Sequence, residues 1–228
     1  MVGTNPGRPP PPRVRDLPAP RRTRSVIGPL VGTVFAWPYR AILAGVHRAG
    51  LHPWHLTFLS LIANGIVGWL LVSGRFFLSA MFLLVAGLLD VFDGGLARLR
   101  GEASRAGAFL DSVVDRVSDL IVFGCLFWRL AGQGDGSAAA ALALSSLLAG
   151  LLVSYVRAEA EAVGLTMTEG LMQRLERYVL LMVGLIVPGA IVPVLVILTG
   201  LGGLTVLQRI GSAWLRLSAT NGESGKIS

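Results

Sequence analysis

Two shortages set the terms for this 228-residue chain: it has a single cysteine and very little charge. Cys125 has no partner for an intrachain disulfide, which excludes a disulfide-stapled scaffold. It lies in an apolar run and reads as a small core residue. Charged residues make up only 14% of the sequence against 53% hydrophobic ones, which excludes an ordinary soluble domain. Residues 1–24 lack anything to bury, being rich in Pro and Arg, and are expected to form a disordered cytosolic tail held near anionic lipid. They also lack the apolar core and small-residue cleavage site of a signal peptide.

What charge there is sums to +7 and is almost all arginine on the basic side. The arginines collect in the N-terminal tail, at 98–105, at 157–177 and at 209–216, with apolar runs between them. The positive-inside rule explains this clustering directly, so no nucleic-acid partner is inferred from the high isoelectric point. Several apolar runs approach the roughly 20 residues needed to cross a bilayer. The expectation is an all-α integral membrane protein with six crossings, at 55–73, 76–98, 106–130, 137–160, 174–190 and 191–214. Ser73-Gly74-Arg75, the glycines at 132–136, and Pro188-Gly189 with Pro193 mark the breaks. Residues 25–49, interrupted by Pro29 and Pro38, suggest an N-terminal amphipathic helix lying on the membrane. The membrane domain would then span 25–217, and 218–228 would be a flexible tail. With the N-terminus in the cytosol, the outer connections hold only Arg75, with Arg129 close to an outer end.

One stretch does not fit a purely apolar plan. Directly after the run Met81–Leu89 the chain reads Asp90-Val-Phe-Asp93-Gly94-Gly-Leu-Ala97-Arg98, and then Gly107-Ala-Phe-Leu-Asp111-Ser-Val-Val-Asp115. Spacings of three and four put each Asp pair on one helix face. Gly94 and Ala97 continue the first face with almost no side chain. A carboxylate near a bilayer centre costs about 2.5–3.5 kcal/mol on insertion scales, and neighbouring carboxylates also repel. Divalent cations remove both penalties, since oxygen-rich sites suit magnesium or manganese. A pair of ions about 3.5–4 Å apart clamps the attacking and leaving oxygens of a displacement at phosphorus. Asp90 precedes Arg98 by eight residues, about 12 Å of helix, which suits a substrate with its head in the cytosol and its tails in lipid.

The complete pattern D-x-x-D-G-x-x-A-R-x(8)-G-x(3)-D-x(3)-D over Asp90–Asp115 resembles that of the CDP-alcohol phosphotransferase family. The resemblance implies a membrane enzyme that moves a phosphatidyl group from CDP-diacylglycerol to an alcohol, often a polyol phosphate, releasing CMP. Carried over by motif position, Asp90, Asp93, Asp111 and Asp115 would ligate two Mg2+ or Mn2+ ions. Asp115 would also act as general base, a role typically worth about 10²–10⁴-fold. Gly94, Ala97 and Gly107 would leave room for the CDP-lipid, Arg98 would pair with its diphosphate, and Ser104 would touch the donor. Asp119, one turn beyond Asp115 and outside the motif, reads as a supporting or structural carboxylate. The stretch His52-Pro53-Trp54-His55-Leu56-Thr57 resembles the family's Thr-Pro-Asn/Asp-x-x-Thr, with Thr57 and Pro53 matching and His52 and Trp54 departing. His47, His52 and His55 are read as interfacial polar residues, because the carboxylates form the better hard-ion site. A homodimer is implied by the family alone.

For the acceptor, Ser154-Tyr155-Val-Arg157-Ala-Glu159-Ala-Glu161, Gln173-Arg174-Leu175-Glu176-Arg177 and Gln208-Arg209 resemble the prokaryotic inositol-phosphate-using branch. Arg157, Arg177 and Arg209 would then hold the acceptor's phosphate at the cytosolic face; positive-inside anchoring is the alternative for each. Glu159 stands where that branch has Arg, and Leu175 where it has Pro. Inositol phosphate is the first expectation and glycerol 3-phosphate the alternative. A transporter would disperse its acids along a route through the bilayer, and an intramembrane prenyltransferase would carry different Asp spacing with an adjacent Asn.

Overall fold

The structure, a computed structural model, describes residues 36–133, 136–167 and 172–224. The expected tail at 1–24 and the first part of the expected interfacial helix lie outside those residues. Within the described residues the regular structure is helical: α1 (Ala36–Arg48), α2 (Pro53–Val72), α3 (Phe76–Arg100), α4 (Arg105–Ala131), α5 (Ser137–Ala162), α6 (Arg174–Ile186) and α7 (Ile191–Ser224).

Local chemistry sets the ends. Pro53 opens α2, where its missing N–H costs nothing. Gly101 closes α3 at φ 68°, a left-handed conformation that costs a glycine no Cβ clash, and the Glu102 amide donates back to the Ala97 carbonyl at 2.9 Å. Ser104 caps α4 by accepting from the Gly107 amide at 3.1 Å. Pro188 cannot extend α6, which ends at Ile186, four residues short of the expected crossing. By contrast α7 runs on past its apolar part to Ser224, into the stretch expected as tail.

Among the described residues, four segments are long and apolar enough to cross a bilayer: Pro53–Val72, Phe76–Arg100, Ser137–Ala162 and Ile191–Ser218. The chain is therefore built as an integral membrane protein. α4 has the length, with 27 residues, but carries Asp111, Asp115, Arg116 and Asp119. α6 has only 13 residues, about 20 Å of helix.

The six helices after α1 close a ring in the order α2, α3, α6, α7, α5, α4 and back to α2, while α1 lies against α3. Small and polar side chains seal the seams, as expected where lipid supplies no hydrophobic drive between helices. The Ser60 hydroxyl donates to the Ala86 carbonyl at 3.2 Å, and the Asn64 amide donates to Ser118 Oγ at 3.2 Å, so that α2 is tied to both α3 and α4. Ser146 and Thr199 pair at 2.9 Å between α5 and α7.

Because neighbours run up and down, the ring divides along its length. One half is a dry core of Leu71, Leu83, Phe123, Leu126, Leu147, Leu181 and Leu195. A smaller cluster of Tyr39, Leu43, Leu56, Phe92 and Leu96 seats α1, with the Tyr39 and Phe92 rings stacked at 5.2 Å. Large apolar side chains such as Trp69, Phe77, Phe109, Trp128 and Trp214 point outward, as they would toward lipid. The other half of the ring holds the polar residues.

Candidate active site

In that polar half, α3 and α4 each pack on α2 rather than extensively on each other, and their carboxylates meet across the gap. Asp90, Asp93 and Asp111 each offer an oxygen within 4.8 Å of the others. Asp93 is 5% exposed, and the Thr57 hydroxyl donates to its Oδ2 at 2.6 Å, fixing the carboxylate from α2. Three hard oxygen donors this close, from two helices, suit a divalent ion. The donor set fits magnesium or manganese.

Asp115 lies beside Asp90 but stands outside that trio. Its partner is Arg174, in the first turn of α6, whose Nη1 contacts Asp115 Oδ1 and also Asp90 Oδ1 at 2.7 Å. The Arg174 Nε lies 4.0 Å from Asp119, and the guanidinium sits 4.9 Å from the Tyr178 ring. One turn on, Arg177 donates to Asp119 Oδ2 at 2.8 Å, and both side chains are almost fully buried. Gly150 on α5 makes this possible, since a Cβ there would overlap the Arg177 guanidinium. The expected supporting carboxylate at 119 is thus the anchor of a buried ion pair.

Beyond Asp115 opens a cavity of about 750 Å³ lined by Asp111, Asp115 and Asp119 on one side and by Arg157, Arg174, Arg177 and Arg209 among the rest. The three arginines expected to hold an acceptor phosphate therefore share one space. Their resting contacts differ. Arg157 is exposed and pairs with Glu161 at 2.8 Å, Arg177 is committed to Asp119, and Arg209 donates to the Val153 carbonyl at 2.6 Å. An acid edge facing a basic wall is an arrangement that accepts an anionic polyol and aims one hydroxyl at a carboxylate.

On the donor side, Thr57 reaches the acid cluster. Gly94 is open except for the Arg98 guanidinium, which would lie 3.5 Å from a Cβ there; Ala97 is one turn from Gly94 on the same helix. Ser104 and Gly107 are exposed at the start of α4, and the Ser104 oxygen already serves as the helix cap. The histidines form no metal set. The His52 amide donates to His55 Nδ1 at 3.1 Å, and His55 stacks on Trp54 at 3.7 Å. Arg174 is the residue that sequence reasoning did not select. Its signal was present, because a cation in the first turn of a helix opposes the macrodipole and needs anions to hold it there.

The profile of the CDP-alcohol phosphatidyltransferase family matches residues 51–211. An archaetidylinositol phosphate synthase of Methanothermobacter thermautotrophicus is 38% identical over 151 residues, 64% of this chain and 74% of that protein. The phosphatidylinositol phosphate synthase of Streptomyces avermitilis is 35% identical over 188 residues, 76% of this chain and 75% of its own length. Among solved structures, the phosphatidylinositol phosphate synthase of Mycobacterium tuberculosis with CDP-DAG bound matches with TM-score 0.71 and 31% identity, covering 76% of this chain and 92% of the other. The same enzyme in complex with manganese and citrate matches with TM-score 0.70 at 31% identity, over 76% of this chain and 88% of the other.

Proposed function

Since the chain belongs to the CDP-alcohol phosphatidyltransferase family, we propose that it transfers the phosphatidyl group of CDP-diacylglycerol to a hydroxyl of inositol phosphate, releasing CMP. The observation that carries this reading is the acid cluster opening onto an arginine-lined cavity: Asp115 stands between Asp90 and a space walled by Arg157, Arg177 and Arg209. The relatives named for inositol phosphate transfer support that acceptor over glycerol 3-phosphate.

In this mechanism Asp115 takes the proton of the acceptor hydroxyl. The freed oxygen bonds to the lipid-side phosphorus, the phosphorus–oxygen bond to CMP breaks, and CMP carries away the electron pair. Two divalent ions, Mg2+ or Mn2+, held by Asp90, Asp93, Asp111 and Asp115, would supply neutralisation of the negative charge gathering on the diphosphate. Thr57 keeps Asp93 turned toward the cluster. Gly94, Ala97 and Gly107 leave room for the nucleotide, Ser104 contacts the donor, and Arg98 pairs with its diphosphate. Arg157, Arg177 and Arg209 place the acceptor's phosphate so that its hydroxyl faces Asp115. Arg177 serves from within its pair with Asp119.

All six helices from α2 to α7 cross the bilayer in this reading, α1 lies on its surface, and residues 25–217 make up the membrane domain. The polar half opens to the cytoplasm, where the arginines cluster. The enzyme works as a homodimer, as the family resemblance implies. The test is release of labelled CMP from CDP-diacylglycerol by the purified chain, with Mg2+ or Mn2+ and a panel of acceptors. Turnover with inositol phosphate well above that with glycerol 3-phosphate is expected; preference for glycerol 3-phosphate would reassign the acceptor, and no CMP with any acceptor would end the enzyme reading.

A further inference from the structure

We infer that Arg174 is a resident counter-cation at the second ion position, so that divalent ions load in two unequal steps. One ion binds first, at Asp90, Asp93 and Asp111, whose oxygens already lie together. A second, which needs Asp115, binds only as the Arg174 guanidinium withdraws from between Asp90 and Asp115. The inference rests on the metal-dependent reading above and adds to it an order of assembly and a positioning residue.

The four carboxylates are not equivalent in the structure. Asp90, Asp93 and Asp111 are already within 4.8 Å of one another, whereas Asp115 is engaged by Arg174, which at the same time holds Asp90 at 2.7 Å. A guanidinium spreads one positive charge over a planar fork and bridges two carboxylates well. It therefore does for this pair electrostatically what a second ion would do, but with half the charge and no open coordination position.

Arg174 is also held differently from its neighbour. Arg177 fits a slot over Gly150 and is locked to Asp119 with its side chain 7% exposed. The Arg174 side chain is 19% exposed, lines the cavity, and rests on the edge of Asp119 at 4.0 Å and on the Tyr178 ring. At the N-terminal turn of α6 the helix dipole works against a cation, so Arg174 stays only while anions hold it. A rotation about its own side chain moves the guanidinium from Asp115 into the cavity, where an anionic substrate would receive it.

Formal charge gives the order. One divalent ion plus Arg174 leaves the four carboxylates one positive charge short of neutrality. Two ions plus Arg174 overshoot by one, an excess that a phosphate in the cavity corrects. The second ion and a phosphate therefore bind cooperatively, with Arg174 moving from carboxylate to phosphate between them.

Titration of the purified full-length chain in detergent with Mn2+, followed by electron paramagnetic resonance, tests this without turnover. Wild type should take one ion with a mononuclear spectrum and a second at least about tenfold more weakly, and Arg174→Met should tighten the second by about tenfold or more, the low end of coupling between close charge pairs. A dipole-broadened two-ion spectrum should then appear at low Mn2+. Arg174→Lys, which keeps the charge, should preserve the gap between the two steps, and a cooperative unfolding transition in each variant, read by tryptophan fluorescence on heating, shows that the chain is folded. Should Arg174→Met not fold, inorganic phosphate added to wild type must still tighten the second step. Equal affinity for both ions in wild type, or a gap that neither Arg174→Met nor phosphate narrows, overturns the inference while leaving the enzyme reading intact. Failure of wild type to bind any Mn2+ overturns both.

Discussion

Asp119→Asn keeps the shape of a buried side chain and removes its charge, leaving the Arg177 side chain, 7% exposed, without the carboxylate that it meets at 2.8 Å. Removing one partner of a buried ion pair costs about 3–5 kcal/mol. The low end applies here, because an Asn carbonyl can still accept from the guanidinium and the cavity lies alongside. At about 2–4 °C per kcal/mol for a chain of this size, the unfolding midpoint should fall by about 6–12 °C. Tryptophan fluorescence during heating in detergent reads that midpoint. Arg177→Gln should also lower the midpoint, because it leaves Asp119, which is 3% exposed, with the more distant Arg174 at 4.0 Å. The double variant should lose clearly less than the two single losses added together, since neither charge is then left alone. A single-variant drop under about 2 °C, or strictly additive losses, would refute the claim that this pair is a structural strut rather than two separately solvated groups.

Thr57→Val removes the 2.6 Å hydrogen bond onto Asp93 and should weaken ion binding by about 10–100-fold, measured as the Mn2+ concentration giving half-maximal CMP release. Asp115→Asn should lower kcat by about 10²–10⁴-fold while CDP-diacylglycerol still binds, a split that single-turnover assays resolve. Ser104→Ala removes the cap of α4 and should cost about 1 kcal/mol of stability; if KM for the donor also rises, the hydroxyl touches the lipid as well. Chelation with EDTA should abolish CMP release, and either Mg2+ or Mn2+ should restore it.

The residues that were legible in sequence are those whose meaning is local. Asp90 with Asp93, and Asp111 with Asp115, declare a shared helix face through spacing alone, and the structure gathers three of the four into one cluster. The expected gap between the crossings at 76–98 and 106–130 falls where α3 ends at Arg100 and α4 begins at Arg105, although the parts of Gly101 and Ser104 in setting it emerge only from the structure. Pro188 ended α6 earlier than its apolar run suggested, because apolar periodicity says what a membrane tolerates, not where backbone hydrogen bonding stops. The pairing of Arg174 with Asp90 and Asp115 was not legible. It joins residues far apart in sequence, and nothing in a local pattern states which of Arg174 and Arg177 faces which acid. Gly150 was equally silent, since its role exists only once α6 lays Arg177 against α5.

In the proposed mechanism these costly carboxylates hold divalent cations against a nucleotide-linked lipid. Anomalous scattering from crystals of the protein grown with Mn2+ and CDP-diacylglycerol tests it most directly. Anomalous peaks are expected within coordinating distance of Asp90, Asp93 and Asp111, one of them touching the donor's diphosphate. A donor bound elsewhere, or manganese absent from these three carboxylates, would contradict it.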